Sequence, residues 1–156
     1  MTTIDPAPRI RPARSTDSEV VNELLGQLGY RQDGRAATAA RIQAWIDDPA
    51  SAAYIADAGG EPVGVIAVHV CPFFEREGAW GRIATLVVAD RARGQGVGGR
   101  LVEAAESFAV GNGCVRMEVT SSDRRVDAHR FYERRGYTGQ AGRSSRFLRD
   151  LPTRHG

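Results

Sequence analysis

The 156-residue chain contains no lysine; its 21 basic residues are all arginine, set against 19 acidic residues for a formal charge of +2. The arginines are spread among the acids instead of gathered in a stripe, which leaves no electrostatic footprint for nucleic acid, and no such partner is expected. Arginine-only usage beside abundant Ala and Gly reflects genome composition more than binding. Cysteine is scarce as well. Cys71 and Cys114 cannot staple a small fold, so no disulfide scaffold is expected, and with His69, His129 and His155 scattered no metal-ligand spacing exists and no metal-site residue is singled out, which leaves any metal requirement open. Long apolar runs are missing. The first twenty residues, with Asp5, Pro6, Pro8, Pro12 and several arginines, hold no stretch fit for a signal peptide or a membrane span, so the expected location is the cytoplasm, with no membrane partner.

What remains is 42% hydrophobic and 26% charged. A chain of this length buries roughly two-thirds of its unfolded surface, which predicts one domain over residues 1–156 with loose ends at about 1–8 and 152–156. Residues 10–13 read as a short strand. Thr16, three residues before Glu19, reads as a capping box that opens a helix carrying Val20, Val21, Leu24, Leu25 and Leu28, and Gly29 ends it. A second helix is predicted over 35–46, with Ile42, Trp45 and Ile46 on its apolar side. The period then changes to that of strands over 53–57, 63–71 and 80–88, the first two separated by Gly59-Gly60. A helix over 98–110, a strand over 115–119 and a short helix with Ala128, Phe131 and Tyr132 follow. Tyr137 and residues 146–148 suggest closing strands. The sum is a mixed α/β fold around a central sheet.

The stretch from Leu86 to Gly99 carries the chemistry. An apolar strand ending Leu86-Val87-Val88 runs into a basic turn and then Arg93-Gly94-Gln95-Gly96-Val97-Gly98-Gly99 at a helix start. Consecutive backbone N–H groups and the positive end of the helix suit a pyrophosphate, with Arg91 and Arg93 nearby, and glycine lets the anion approach the backbone. Gly94, Gly96 and Gly99 also satisfy the dinucleotide fingerprint, with Glu118 downstream. In that fold, however, the first glycine follows its strand almost directly, and too little chain follows Gly99 to complete a doubly wound sheet.

Arg93-Gly94-Gln95-Gly96-Val97-Gly98 resembles the acyl-CoA signature Q/R-x-x-G-x-G/A of the GCN5-related N-acetyltransferase (GNAT) family, and the element order from 10 to 149 is similar to that family's. The resemblance implies the order strand, two helices, three antiparallel strands, helix, strand, helix and two closing strands, with the fourth and fifth strands splayed. It implies acetyl-CoA between Leu86, Val87 and Val88 on one side and Met117 to Thr120 on the other. The backbone of Leu86 and Val88 would pair with the pantetheine arm, and the amides of 93–99 would hold the pyrophosphate. Substitution should then be tolerated at Val87 and Val97 but not at Gly96 and Gly98. A second family feature, A-x-x-F-Y-x-x-x-G-Y, runs from Ala128 to Tyr137 and implies that Tyr132 protonates the leaving thiolate. Arg125 departs from the family, where an Asn is common.

An alkyl amine is neutral only about once in two thousand at pH 7, so acetylation needs a base. The family often places a glutamate on the fourth strand, where this chain has Arg82 and Thr85; Glu75, Glu77, His69, Glu118 or a water chain remain as candidates. The stretch 119–132 and the tail 143–151 look most like aminoalkylphosphonate N-acetyltransferases. That resemblance implies a small primary amine with an anionic end as acceptor, for which Arg125, Arg143 and Arg146 offer guanidinium forks. The reading allows a homodimer. Two alternatives stay open: an acyl-CoA-binding regulatory module without catalysis, and an acetyltransferase acting on protein or aminoglycoside amines.

Overall fold

In the computed structural model, which describes residues 7–30, 34–121 and 125–153, the alternating segments form strands β1 (Arg9–Pro12), β2 (Ser51–Ala58), β3 (Glu61–Pro72), β4 (Ala79–Val88) and β5 (Cys114–Val119). The helices are α1 (Ser18–Gln27), α2 (Arg35–Asp47), α3 (Val97–Gly111) and α4 (Val126–Arg134). The chain divides at Thr120 into two compact units. The first holds one sheet in the order β1-β2-β3-β4-β5, antiparallel except for the parallel β4/β5 pair. Gly59 and Gly60, at φ 62° and 93°, make the β2–β3 turn; left-handed φ at both central residues matches the twist of the flanking strands.

Helices cover both faces. A Cβ on Gly64 would meet Leu101 Cδ1 at 3.0 Å and Val97 Cγ1 at 3.3 Å, and one on Gly81 would meet Ala109 Cβ at 3.0 Å, so α3 lies against the face that both glycines share. The opposite face takes α2, whose Trp45 meets His69 of β3 edge-on at 6.4 Å. Thr38 Oγ1 donates to Asn22 Oδ1 at 2.6 Å, joining α2 to α1. Ile55, Ile66, Val68, Leu101 and Val102 are sealed from solvent in the layers between, each worth about 1.5–3 kcal/mol of burial.

Several expectations change in detail. Thr16 is not the cap. The chain enters α1 through a 3-10 turn, Ser15–Asp17, and it is Asp17 whose carboxylate accepts the Arg14 N–H at 2.8 Å. Ile46 is exposed, and Thr38 takes a buried place on α2 instead. Val87 and Val97 are 4% and 2% exposed, so the tolerance expected there is overturned; both are core residues. Val115 is exposed because Ala79↔Cys114 and Trp80↔Arg116 leave it as the extra residue of a bulge, out of the β5 alternation. No strand forms at Tyr137 or 146–148 among the described residues, and Phe147, Leu148 and Leu151 are exposed. Phe147 and Leu148 are adjacent and would point to opposite faces of a strand, so neither face gains enough burial to hold a ladder.

Candidate functional site

β4 has a strand on each side only as far as Ile83. Its ladder with β5 stops at Ile83↔Val119, while β4 continues against β3 to Val88↔Gly64. The parting coincides with a bulge: Val68↔Ile83 and Ala67↔Thr85 leave Ala84 unmatched, and a bulge bends and twists its strand. Ala89 N–H donates to Val63 O at 2.8 Å. By antiparallel alternation Val87 and Ala89 therefore turn their peptide groups to β3, and Leu86 and Val88 turn theirs to the open edge. An extended, amide-bearing ligand can add to such an edge as a strand does. Met117, expected on the lip of this opening, is inside the ladder opposite Gly81; the gap begins beyond Val119.

The open edge leads into the glycine turn. After the short 3-10 turn Asp90–Ala92, Gly94 and Gly96 adopt φ 79° and 77°, which only glycine takes without strain, and no atom lies within 4 Å of either missing Cβ. Gly96 caps α3 without a side-chain partner, and the helical ladder begins with Arg100 N–H to Gly96 O at 3.2 Å. The N–H groups of Val97, Gly98 and Gly99 thus have no helical acceptor and sit at the positive end of a 15-residue helix. Gln95 is exposed in the turn between them. Arg91 and Arg93 are exposed and pair with Glu61 (2.7 Å) and Asp90 (3.1 Å). Exposed pairs of this kind are worth no more than about 1 kcal/mol, so both guanidiniums can turn to an anion at little cost. Edge, glycines and orphan amides together fit a diphosphate ester with a pantetheine arm.

The second unit shows why Tyr132 is held. At the end of α4, Gly136 takes φ 89°, its N–H bonds Glu133 O at 3.0 Å, and Tyr137 N–H bonds Tyr132 O at 3.0 Å. This is a Schellman stop, with the Tyr132 and Tyr137 rings 5.7 Å apart as its apolar contact. Phe131 meets Tyr132 edge-on at 5.1 Å. Burial pushes the Tyr132 phenol above its ordinary value, and the charge of Arg125 opposes this only in part. The group stays protonated at neutral pH.

The four base candidates separate. Glu75 and Glu77 stand exposed in the β3–β4 turn. Glu118 is committed to Arg82, whose Nη2 also donates to Thr120 Oγ1 at 3.1 Å. His69 differs: its Nδ1 is 2.8 Å from Ser51 Oγ, and Ser51 Oγ donates to Asp48 Oδ2 at 3.0 Å. Ser51 and Asp48 were not singled out from the sequence. The Asp48-Pro49-Ala50-Ser51 run carries a legible turn signal, and Asp48 does accept the Ala50 N–H at 2.9 Å. The histidine it serves is 18 residues away, across a strand pair that no local pattern reveals.

A family model described as "Acetyltransferase (GNAT) family" matches residues 19–137. The chain is 34% identical over 133 residues to an aminoalkylphosphonate N-acetyltransferase of Salmonella typhimurium, covering 85% of this chain and 86% of that one. It is 32% identical over 117 residues to an aminoglycoside N(6')-acetyltransferase type 1 of Klebsiella aerogenes, covering 71% and 76%. A crystal structure described as a transcriptional regulator from Bacillus halodurans superposes with a TM-score of 0.80 at 26% identity, over 92% of this chain and 99% of that one. With a model match over most of its length, the chain belongs to the GNAT acetyltransferase family, which uses acetyl-CoA, and is an N-acetyltransferase.

Proposed function

We propose that this enzyme binds acetyl-CoA along the open edge of β4 and transfers the acetyl group directly to a primary amine of a small molecule. The observation that carries the reading is the parting of β4 from β5 at Ile83, directly ahead of the unmet amides of Val97, Gly98 and Gly99. Leu86 and Val88 offer the edge for the pantetheine arm, Val87 supports them from the core, and 93–99 supply the anion cradle. Holding donor and acceptor side by side accounts for much of the rate by orientation. The amine nitrogen attacks the thioester carbonyl carbon and the C–S bond breaks. Tyr132 gives its proton to the departing sulfur and is restored by the proton the new amide nitrogen sheds. Arg125, Arg143 and Arg146 are all exposed and supply a fork for an anionic end of the acceptor; the similarity to an aminoalkylphosphonate N-acetyltransferase supports that class.

The test is release of free CoA thiol from acetyl-CoA over a panel of aminophosphonates, amino acids, polyamines, aminoglycosides and lysine peptides. The expected outcome is the highest kcat/KM with an aminophosphonate or another small anionic amine. Acetyl-CoA binding by calorimetry without thiol release from any amine selects the non-catalytic binding module instead.

A further inference from the structure

We propose that His69 is the base that takes the proton from the acceptor amine, with Ser51 and Asp48 as positioning residues that hold its imidazole for the task. The assignment rests on the acetyl-transfer reading above and supplies the one chemical role that reading leaves open.

Three observations support it. Register pairs His69 with Arg82 across β3 and β4, one residue before the last β4/β5 pair at Ile83, where the two strands part. The face matters too. Register puts His69 and Arg82 on the face opposite α3, and α2, although its Trp45 meets His69, leaves that side chain 45% exposed there. Finally, proton counting fixes the tautomer. A serine hydroxyl has one hydrogen, and that of Ser51 goes to Asp48 Oδ2, so the 2.8 Å contact requires His69 Nδ1–H to donate to Ser51 Oγ. Nε2 is left as the acceptor on a side chain that is 45% exposed, with a carboxylate oxygen 3.9 Å from Nδ1.

The surroundings are consistent with proton uptake. Asp48, in the α2–β2 turn, is held ionised by the Ala50 N–H and Ser51 O–H, with burial opposing slightly. From α2 comes the uncharged Trp45, and Asp47 is engaged by Gln43 at 2.9 Å. From β4 comes Arg82, whose charge is met by Glu118 of β5. Cys71 lies two residues along β3. In the step, His69 Nε2 takes one proton from R–NH3⁺, the resulting R–NH2 attacks the thioester, and the imidazolium returns its proton to water. The products are R–NH–acetyl, CoA thiol and one released proton.

The experiment is kcat/KM for the best amine against pH in the wild type, His69→Gln, His69→Ala and Asp48→Asn, beside NMR titration of the histidines, of which the chain has 3. Expected are a wild-type acid limb that coincides with the His69 titration and a fall of at least about 100-fold in His69→Gln. The acetyl-CoA KM stays unchanged, the limb disappears, and added imidazole restores rate to His69→Ala. Asp48→Asn lowers kcat and leaves the acetyl-CoA KM unchanged, as loss of a positioning residue should. Should the variants not fold, the wild-type comparison decides alone, since a limb that does not coincide with His69 overturns the assignment. An active enzyme whose limb survives in His69→Gln overturns the base and leaves acetyl transfer standing. A wild type that releases no thiol with any amine overturns both.

Discussion

At the scale of single residues, Tyr132 and Glu118 show how differently the candidate site residues stand. Tyr132 is half-buried with its phenol pushed up, so it holds its proton through the neutral range; Glu118 spends its charge on Arg82. A thiolate with a conjugate pKa of about 8.5 needs only modest help to leave, so Tyr132→Phe is expected to lower kcat by roughly 10- to 100-fold. Acetyl-CoA binding is unchanged. The sign of the pH effect follows from the shift: a raised phenol loses its proton only above the ordinary value of about 10, so the wild-type alkaline limb lies above that pH and Tyr132→Phe abolishes it. Steady-state pH profiles of the two proteins check this, and a limb retained in the variant removes the tyrosine from the reaction. The core positions act differently. Val97 fills the space over Gly64 at 3.3 Å from where a Cβ would stand, and Val97→Ala should cost stability, by about 2 kcal/mol in urea unfolding, through lost packing.

At the scale of elements, the motif from Phe131 to Tyr137 is a helix stop that holds the tyrosine proposed as the acid. Gly136 supplies the left-handed residue, and the two hydrogen bonds it permits fold Tyr137 back beside Tyr132. Gly136→Ala should cost about 1–2 kcal/mol in unfolding free energy, because a Cβ is strained at φ 89°. It should also lower kcat while leaving the KM for acetyl-CoA alone, since the tyrosine is loosened and the cradle is untouched. Equal loss in kcat and in donor affinity would show that the stop serves the fold and not the tyrosine. Elements of this kind were legible in the sequence because their signals are local: the glycine turn, the Gly59-Gly60 hairpin, and the 3.6 and 2.0 periods that place each strand and helix within a few residues. What was not legible is non-local. The extra residue at Ala84 is visible only as a register shift between β3 and β4, and nothing in Ile83-Ala84-Thr85 marks a bulge. The coupling of Asp48 and Ser51 to His69 is hidden for the same reason.

At the scale of the first unit, a charged staple joins segments distant in sequence. Arg11 on β1 gives Nη1 and Nη2 to Asp17 at 2.9 and 2.8 Å and Nε to Asp57 on β2 at 3.0 Å. Arg11 and Asp17 are both buried, an arrangement that composition and period alone do not suggest for two charged residues. Burial alone would push the Asp17 carboxyl up. The Arg11 hydrogen bonds, the Arg14 N–H and the two arginine charges outweigh it and hold the group below the usual carboxylate range; Asp57 is lowered chiefly by its own Arg11 bond. A carboxyl depressed in the folded state stabilises fully above its unfolded value of about 3.9 and loses that contribution as pH falls through the folded one. Urea-unfolding stability should therefore be flat in this term at neutral pH and fall below about pH 4. Asp17→Asn removes one arm of a bidentate buried pair and leaves Arg11 with Asp57, which is expected to cost about 3 kcal/mol at pH 7. The variant should also show a shallower acid limb than wild type, because part of the titrating difference between folded and unfolded chains is gone. The cost and the flattening must appear together: an equal acid slope in both proteins would mean that other carboxylates carry the acid response and that the staple acts through packing alone.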